Sequence, residues 1–171
     1  MTGRDRRLLF ERDALLGSLA GREDIVCRPL DFNGSGLPTA YLVEYRIKSI
    51  CGIREDRSPA FADRFLLRID LPEGYPDIDS PPVFRFLTRD ENGVPLPHPW
   101  HPNIRYSGDF AGRVCLNAPD THGSLAAAVG KIESYLRYER YHALNQAPYP
   151  EDQTVAAWVI REAEPHDWIV F

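Results

Sequence analysis

The strongest constraint on the fold is a series of strand-like segments separated by short loops. The first is the apolar run Ile25–Leu30, and the next two, Tyr41–Lys48 and Phe65–Leu71, alternate apolar and polar residues. Alternation with a period of two is typical of a strand with one buried face. Parallel neighbours would need long crossover connections, which are usually helical, so these segments predict an antiparallel meander.

A fourth strand is predicted after a proline-rich turn. The turn contains Gly74-Tyr75-Pro76 and Pro81-Pro82, and the strand spans Val83–Thr88. Proline cannot donate a backbone hydrogen bond to a sheet, so these prolines mark where the chain leaves the sheet edge and turns. The remaining connections are predicted to be a turn and two loops: Asp31–Pro38, Gly52–Pro59 and Arg89–Pro99.

Helical patterns stand before and after the strands. Residues 5–20 predict an N-terminal helix, with leucines near a helical period at positions 8, 9, 15, 16 and 19. A second helix is predicted from the N-cap Ser124 to about Tyr141, with one apolar face made of Leu125, Val129, Ile132 and Leu136. A last helix is predicted over Gln153–Glu162, and the apolar tail His166–Phe171 is predicted to pack on the body. Helices segregated from an antiparallel sheet predict an α+β fold, with residues 1–171 as a single domain.

Composition restricts the class of partner. The 171-residue chain carries a formal charge of −5 and has a pI near 5.5, which argues against nucleic acid or an anionic membrane. The sequence contains no apolar run long enough to span a bilayer and no signal-like N-terminus. Its three cysteines show no disulfide-type spacing. These features predict a cytoplasmic protein in which Cys27 and Cys51 are core residues. Only Lys48 and Lys131 are lysines among 20 basic residues, a bias that favours a bacterial source.

The segment Trp100–Leu116 contains the residues best suited to chemistry, and reads W-H-P-N-I-R-Y-S-G-D-F-A-G-R-V-C-L. Proline restricts the backbone around its first turn, and two glycines allow the chain to reverse before Cys115. Cys115 is a candidate thiol nucleophile. The side-chain amide of Asn103, twelve residues earlier, could donate a hydrogen bond to an oxyanion that forms at this thiol.

These residues resemble the active-site signature of ubiquitin-conjugating enzymes, a His-Pro-Asn turn followed by a Gly-x-Ile/Val-Cys-Leu segment. Here the two parts are His101-Pro102-Asn103 and Gly112-Arg113-Val114-Cys115-Leu116. The Tyr-Pro and Pro-Pro pairs that precede the fourth strand resemble another family motif, with four residues between them instead of two. The resemblance covers roughly residues 5–163. It implies the ubiquitin-conjugating fold: an N-terminal helix, a four-stranded antiparallel meander, an active-site loop and two C-terminal helices.

The resemblance also implies a reaction that needs no metal and no cofactor. Cys115 would accept the C-terminal carboxyl group of a ubiquitin-like protein as a thioester from an activating enzyme, and a lysine amine of a target protein would then attack it. Asn103 would stabilise the oxyanion, and His101 would brace the turn through backbone hydrogen bonds. In Pro148-Tyr149-Pro150-Glu151-Asp152, Asp152 matches the acid that orients and helps deprotonate the incoming lysine. On its own, such an aspartate is more often a helix cap.

Further partners follow from the same resemblance. The basic face of the first helix meets the activating enzyme in this family, which makes candidates of Arg4, Arg6, Arg7 and Arg12. An ordinary solvated helix face explains these arginines equally well. Ring-type ligases usually grip two loops, but here the anchor residues of both are replaced, by Asp77–Ser80 and by Gly123–Ala126. We therefore expect a ligase, if one takes part, to be of a divergent type.

Other interpretations of the same residues stay open at this point. A lone cysteine beside valine and leucine is commonly a core residue. A cysteine hydrolase would need His101 or His122 as a base, and a zinc site could use His98, His101 and Cys115, although no fourth ligand is evident. The non-enzymatic alternative is a ubiquitin-binding adaptor of the same fold, although such adaptors typically lack the cysteine.

Overall fold

The structure is a computed structural model that describes residues 1–117 and 123–169. The helices are α1 (Gly3–Leu19), α2 (Leu125–Leu136) and α3 (Gln153–Trp158), and α3 continues into a π-helical turn at Val159–Ala163. The strands are β1 (Ile25–Pro29), β2 (Ala40–Tyr45), β3 (Ser49–Ile53), β4 (Pro59–Ala62), β5 (Phe65–Asp70) and β6 (Val83–Phe86). The predicted α+β class is confirmed.

Four strands form one antiparallel sheet in the order β1-β2-β5-β6, which is the predicted meander. Its inner face is built from cross-strand pairs of buried residues: Tyr41 with Ile69, Val43 with Leu67, and Tyr45 with Phe65. Phe84 and Phe86 of β6 continue the same face, which the apolar side of α2 covers. The period-two alternation in the sequence therefore identified the buried face correctly.

The strands β3 and β4 form a separate antiparallel hairpin, so the prediction of a loop over Gly52–Pro59 is wrong at both ends. The turn itself is short, and the backbone N–H of Arg54 donates to the carbonyl oxygen of Ser58 at 2.8 Å. Ile50 and Ile53 pack against a hydrophobic cluster made largely of C-terminal residues. This long-range packing stabilises the hairpin, and a local sequence pattern contains no sign of it.

Helix α1 begins at a capping box in which Thr2 and Asp5 exchange side-chain to backbone hydrogen bonds of 3.0 Å. Leu8 and Leu15 are fully buried on its inner face. Leu16, which was predicted to lie near that face, is exposed. The third fully buried position is not a leucine but the carboxylate of Glu11.

Glu11 connects three parts of the fold. One of its oxygens accepts from the backbone N–H of Leu125 at 2.7 Å, and the other accepts from the hydroxyl of Tyr75 at 2.8 Å. The guanidinium of Arg7 lies 2.7 Å from the latter oxygen. Because Leu125 and Tyr75 lie outside α1, the buried carboxylate holds this helix against the start of α2 and against the proline-rich turn.

Helix α2 ends at Leu136, five residues before the predicted end at Tyr141. The chain leaves the helix because Tyr138 has a φ of +55°, which is left-handed backbone. The side chain of Tyr138 is buried, and its hydroxyl donates to the carbonyl oxygen of Trp100. Tertiary contacts of this tyrosine therefore end the helix, although helical periodicity continues in the sequence.

The second hydrophobic cluster lies beside the sheet core and surrounds Trp100 and Trp158. The rings of Trp158 and Trp168 stack at 6.2 Å, and Ile169 is buried. The prediction that the C-terminal tail packs on the body is confirmed for these two residues, and 170–171 lie outside the described residues. Among the helices that the structure describes, none has the length and apolar character needed to cross a bilayer.

Candidate active site

The candidate nucleophile and the candidate oxyanion donor are brought together by a short backbone pairing. The N–H of Cys115 donates to the carbonyl oxygen of Asn103 at 2.8 Å, and the N–H of Arg105 donates to that of Arg113 at 2.9 Å. An antiparallel β-bridge between Ile104 and Val114 lies between these two hydrogen bonds. Residues that lie twelve apart in the sequence are therefore adjacent in space.

Gly112 attaches this pairing to the sheet. Its N–H donates to Arg105 at 2.7 Å, and its carbonyl oxygen accepts from the N–H of Phe86 at 2.8 Å. Gly112 has a φ of +86°, and a Cβ atom at this position would lie 2.0 Å from the carbonyl oxygen of Phe86. Only glycine fits here, because any side chain would meet backbone atoms and the backbone conformation is left-handed. The glycine of the signature thus sets how closely the cysteine segment approaches β6.

Cys115 is a partly exposed free thiol. Burial raises its pKa above the ordinary value of 9.0, and the carboxylate of Glu151 raises it further, whereas Arg113 and Lys131 act in the opposite direction. A groove of about 830 Å³ runs past the thiol along the edge of the sheet. Its lining comes mainly from β6 and from the segment before the cysteine, and includes Val83, Arg85, Phe110 and Arg113. The other two thiols, Cys27 and Cys51, pack against the main core as predicted.

The side chain of Asn103 is oriented by the loop that follows α2. Its Oδ1 accepts from the backbone N–H of His142 at 3.0 Å. Within the described part of the chain, no hydrogen bond is formed by its Nδ2, so the amide keeps two N–H groups for an external acceptor. An amide whose oxygen is fixed and whose nitrogen is unused is suited to donate to a developing oxyanion.

His101 is buried and lies against the rings of Tyr135 and Tyr138, each with its centroid 4.8 Å away. Its Nδ1 accepts from the backbone N–H of Asn103 at 3.1 Å, and its Nε2 donates to the carbonyl oxygen of Arg140 at 2.9 Å. Burial lowers the pKa of His101 to about 3. The imidazole is therefore neutral, with both nitrogens engaged by backbone, and it joins the His-Pro-Asn turn to the loop that orients Asn103.

Asp152 is the N-cap of α3 and is only 6% exposed. Its Oδ1 accepts from the N–H groups of Thr154 and Val155 at 3.0 and 3.1 Å, and its Oδ2 accepts from that of Tyr106 at 3.0 Å. Its own N–H donates to Pro102 at 2.9 Å. Oδ1 thus caps α3, and Oδ2 joins the start of α3 to the segment that carries the His-Pro-Asn turn.

Solved structures of several ubiquitin-conjugating enzymes resemble this chain. Pex4p of H. polymorpha, solved in complex with the soluble domain of Pex22p, matches with a TM-score of 0.58 and 19% identity, over 98% of this chain and 92% of that one. The E2 domain of a Toxoplasma gondii enzyme matches with a TM-score of 0.55 and 20% identity, over 97% and 90%. UbcA1 of Agrocybe aegerita matches with a TM-score of 0.52 and 18% identity, over 80% and 83%.

The chain has the ubiquitin-conjugating fold. No family model matches it, and no curated protein matches it. The likeness that the comparisons find is therefore one of tertiary structure, at 18–20% sequence identity.

The arginines of α1 differ in their availability to a partner. Arg4 donates to the carbonyl oxygens of Tyr75 and Pro72 at 3.2 and 3.1 Å, and Arg7 is paired with the buried Glu11. Arg12 forms an exposed pair with its neighbour Asp13. Arg6 is exposed and makes no ion pair within the described residues. Two of the four predicted contact residues, Arg4 and Arg7, therefore already bind groups within this chain.

The geometry weighs against two of the alternative chemistries. His101 has no nitrogen left to act as a base toward Cys115, and His122 lies outside the described residues. The Nε2 of His98 is hydrogen-bonded to the carbonyl oxygen of Tyr106 at 2.8 Å. The described residues contain no group of three or more side chains that could hold a metal ion.

Sequence analysis missed one acidic residue of the site, Glu151. It lies next to Asp152 in the same motif, and Arg105 holds it with a nitrogen–oxygen distance of 3.4 Å. The motif as a whole pointed to an acid at this place. Which of the two neighbouring carboxylates is taken up by the helix cap depends on how α3 begins, and residue types alone do not reveal that.

Proposed function

We propose that this chain is a ubiquitin-conjugating-type acyltransferase. Cys115 takes a ubiquitin-like protein from an activating enzyme as a thioester and transfers it to a lysine amine of a target protein. The observation that supports this most directly is the backbone pairing of Asn103 with the partly exposed Cys115 on a ubiquitin-conjugating fold, in which the amide nitrogen of Asn103 makes no hydrogen bond to any described residue.

The transfer begins when the Cys115 thiolate attacks the thioester that joins the ubiquitin-like protein to the activating enzyme; the new C–S bond forms, the old C–S bond breaks, and the thiolate of the activating enzyme leaves. Because the pKa of the Cys115 thiol lies above 9.0, only a small fraction is ionised at neutral pH, and the strong nucleophilicity of sulfur compensates for that. The lysine amine then adds to the thioester carbonyl. Asn103 donates to the resulting oxyanion, a contact for which removal of the donor costs on the order of 100-fold or more in rate.

The remaining residues act by holding this arrangement. His101 keeps the turn in place as a neutral, backbone-bound imidazole, and Asp152 joins α3 to the same turn. Asp152 matches by sequence the acid that orients the lysine. Arg6 and Arg12 are the α1 arginines whose guanidinium groups can bind the activating enzyme. Arg4 and Arg7 instead bind Tyr75, Pro72 and Glu11 within this chain.

The partners proposed here are a ubiquitin-like protein, an activating enzyme and a lysine-bearing target. The first ligase loop carries an exposed apolar residue, Ile78, between two aspartates. The second loop is taken up by the start of α2, where Ser124 caps the helix and Leu125 is buried. A ligase would therefore need an interface that does not rely on the second loop.

A charging assay tests this proposal. The protein is incubated with ATP, a candidate ubiquitin-like protein and an activating enzyme already shown to be active on that protein, and the products are separated with and without reductant. We expect an adduct that is lost on reduction, absent in Cys115→Ala, unchanged in Cys51→Ala, and resistant to reduction in Cys115→Ser. Absence of any adduct with the cognate activating enzyme would refute the enzymatic proposal and favour a ubiquitin-binding adaptor.

A further inference from the structure

The acid that meets the incoming lysine should have a carboxylate oxygen that is not already hydrogen-bonded within the protein. Asp152 has none to spare, because its two oxygens accept three backbone N–H groups and it is buried. Turning this side chain toward a substrate would break the cap of α3 and the contact with Tyr106.

Glu151, the residue before it, is differently placed. A single contact holds its carboxylate, between its Oε1 and the Nε of Arg105 at 3.4 Å, and within the described residues its second oxygen makes no hydrogen bond. The side chain is 14% exposed, so it borders solvent without being freely mobile in it.

Arg105 ties Glu151 to the backbone segment that pairs with the Cys115 segment. Arg105 lies in the short backbone pairing that aligns Asn103 with Cys115, and its N–H bonds to Arg113, two residues before the cysteine. The carboxylate of Glu151 is therefore held by a residue of the same pairing that contains Cys115. Glu151 accordingly acts electrostatically on the thiol and raises its pKa.

We propose that Glu151 is the carboxylate that binds the ammonium group of the incoming lysine beside the Cys115 thioester, and that Asp152 serves as a structural cap. This inference rests on the proposed function. The bound ammonium first loses one proton to solvent. The free amine then attacks the thioester carbonyl, the new C–N bond forms, the C–S bond breaks, and the second proton of the nitrogen goes to the departing thiolate or to water.

A carboxylate in this place has two opposite consequences. It attracts a cationic nucleophile, which favours transfer to lysine, and it repels the Cys115 thiolate, which slows every reaction of the free thiol. Removing its charge should therefore slow one reaction and accelerate the other. General damage to the fold would slow both.

The experiment compares Glu151→Gln with wild type in two assays. The first measures alkylation of Cys115 by iodoacetamide against pH, a reaction that needs no activating enzyme. We expect Glu151→Gln to lower the pKa of the thiol and to be alkylated about threefold faster at pH 8. The second loads Cys115 with ubiquitin as a thioester and follows its discharge to free lysine and to hydroxylamine, which is uncharged at neutral pH. We expect the KM for lysine to rise about tenfold, with the hydroxylamine rate unchanged.

Two further variants complete the test. Glu55→Gln removes an exposed acid in the β3–β4 turn and should match wild type in both assays. Asp152→Asn should lower thermal stability and slow lysine and hydroxylamine discharge together. If Glu151→Gln leaves the alkylation profile unchanged, or if it slows lysine and hydroxylamine discharge equally, the inference is overturned. If wild type forms no thioester with its cognate activating enzyme, the proposed function fails, and the alkylation profile still decides whether Glu151 acts on Cys115.

Discussion

The contacts of the buried Glu11 carboxylate predict how much its removal lowers the free energy of unfolding. Glu11→Ala removes the acceptor for the N–H of Leu125, the hydroxyl of Tyr75 and the guanidinium of Arg7. Hydrogen bonds to a charged group are worth about 1.5–3 kcal/mol each, and a buried donor left without a partner adds its desolvation cost. The side chain of Arg7 is 31% exposed and can regain water, which offsets part of the loss.

We therefore expect Glu11→Ala to lower the free energy of unfolding by about 3–5 kcal/mol, the range found when one partner of a buried ion pair is removed. Such a loss is a third or more of the total stability of many domains, and it corresponds to a fall in Tm of roughly 6–20 °C for a chain of this size. Urea denaturation with an unchanged m-value is the appropriate measurement.

Asp13→Ala is the matched control, because Asp13 lies on the same helix in an exposed pair with Arg12. Its effect should stay within about 0.5 kcal/mol. Glu11→Gln keeps one acceptor oxygen and should lose less than Glu11→Ala. A loss of under about 1 kcal/mol in Glu11→Ala would show that the carboxylate does not hold the helices together, and the reasoning from its contacts would be refuted.

Three other predictions follow from the site. Gly112→Ala should destabilise the fold by at least about 2 kcal/mol in urea denaturation, because the new Cβ meets the carbonyl oxygen of Phe86 in left-handed backbone, whereas Gly34→Ala should change little. His101 has a pKa of about 3 when folded and an ordinary value of 6.5, so the unfolded chain binds the proton first as the pH falls. Between pH 6 and pH 5, wild type should therefore lose about 1 kcal/mol more of its unfolding free energy than His101→Gln does. Finally, because the pKa of Cys115 lies above 9.0, its alkylation should accelerate nearly tenfold per pH unit from about pH 7 to pH 8.5.

Each of these three has a result that would contradict it. Equal stability of Gly112→Ala and wild type would mean that the segment before the cysteine can move away from β6. Parallel stability curves for wild type and His101→Gln would mean that the imidazole is accessible to protons in the folded state. A plateau in the alkylation rate below pH 8 would mean that the thiol has a lower pKa than its surroundings indicate.

The parts of the fold that were predicted correctly from sequence depend on short-range patterns. Alternation identified the buried residues of β2 and β5, such as Val43 and Leu67, because a pleated strand places every second side chain on one face. Ser124 was correctly predicted as a helix cap, since its hydroxyl accepts from the backbone three residues later. The backbone of Asn103 pairs with that of Cys115, while the catalytic roles assigned to these two residues stay a prediction.

The errors share one physical cause, which is packing between residues distant in sequence. Tyr138 ends α2 because its side chain joins the cluster around Trp100, and the β3–β4 hairpin forms because Ile50 and Ile53 reach the same cluster. Leu16 continues the apolar pattern of α1, yet it is exposed, whereas Glu11 is buried and accepts from the first residue of α2. None of these contacts is encoded in a local period.

By itself, the sequence determined the antiparallel sheet, the buried face of each of its main strands, and the cysteine and asparagine of the candidate site. Those properties follow from spacing along the chain and from the residue types that a turn or a reaction requires. Only the tertiary structure decided that both carboxylate oxygens of Asp152 accept backbone N–H groups, whereas among the described residues Glu151 makes a single contact, with Arg105. The physical reason is that adjacent residues at a helix start point in different directions, and the hydrogen bonds that α3 makes with residues 102–106 select between them.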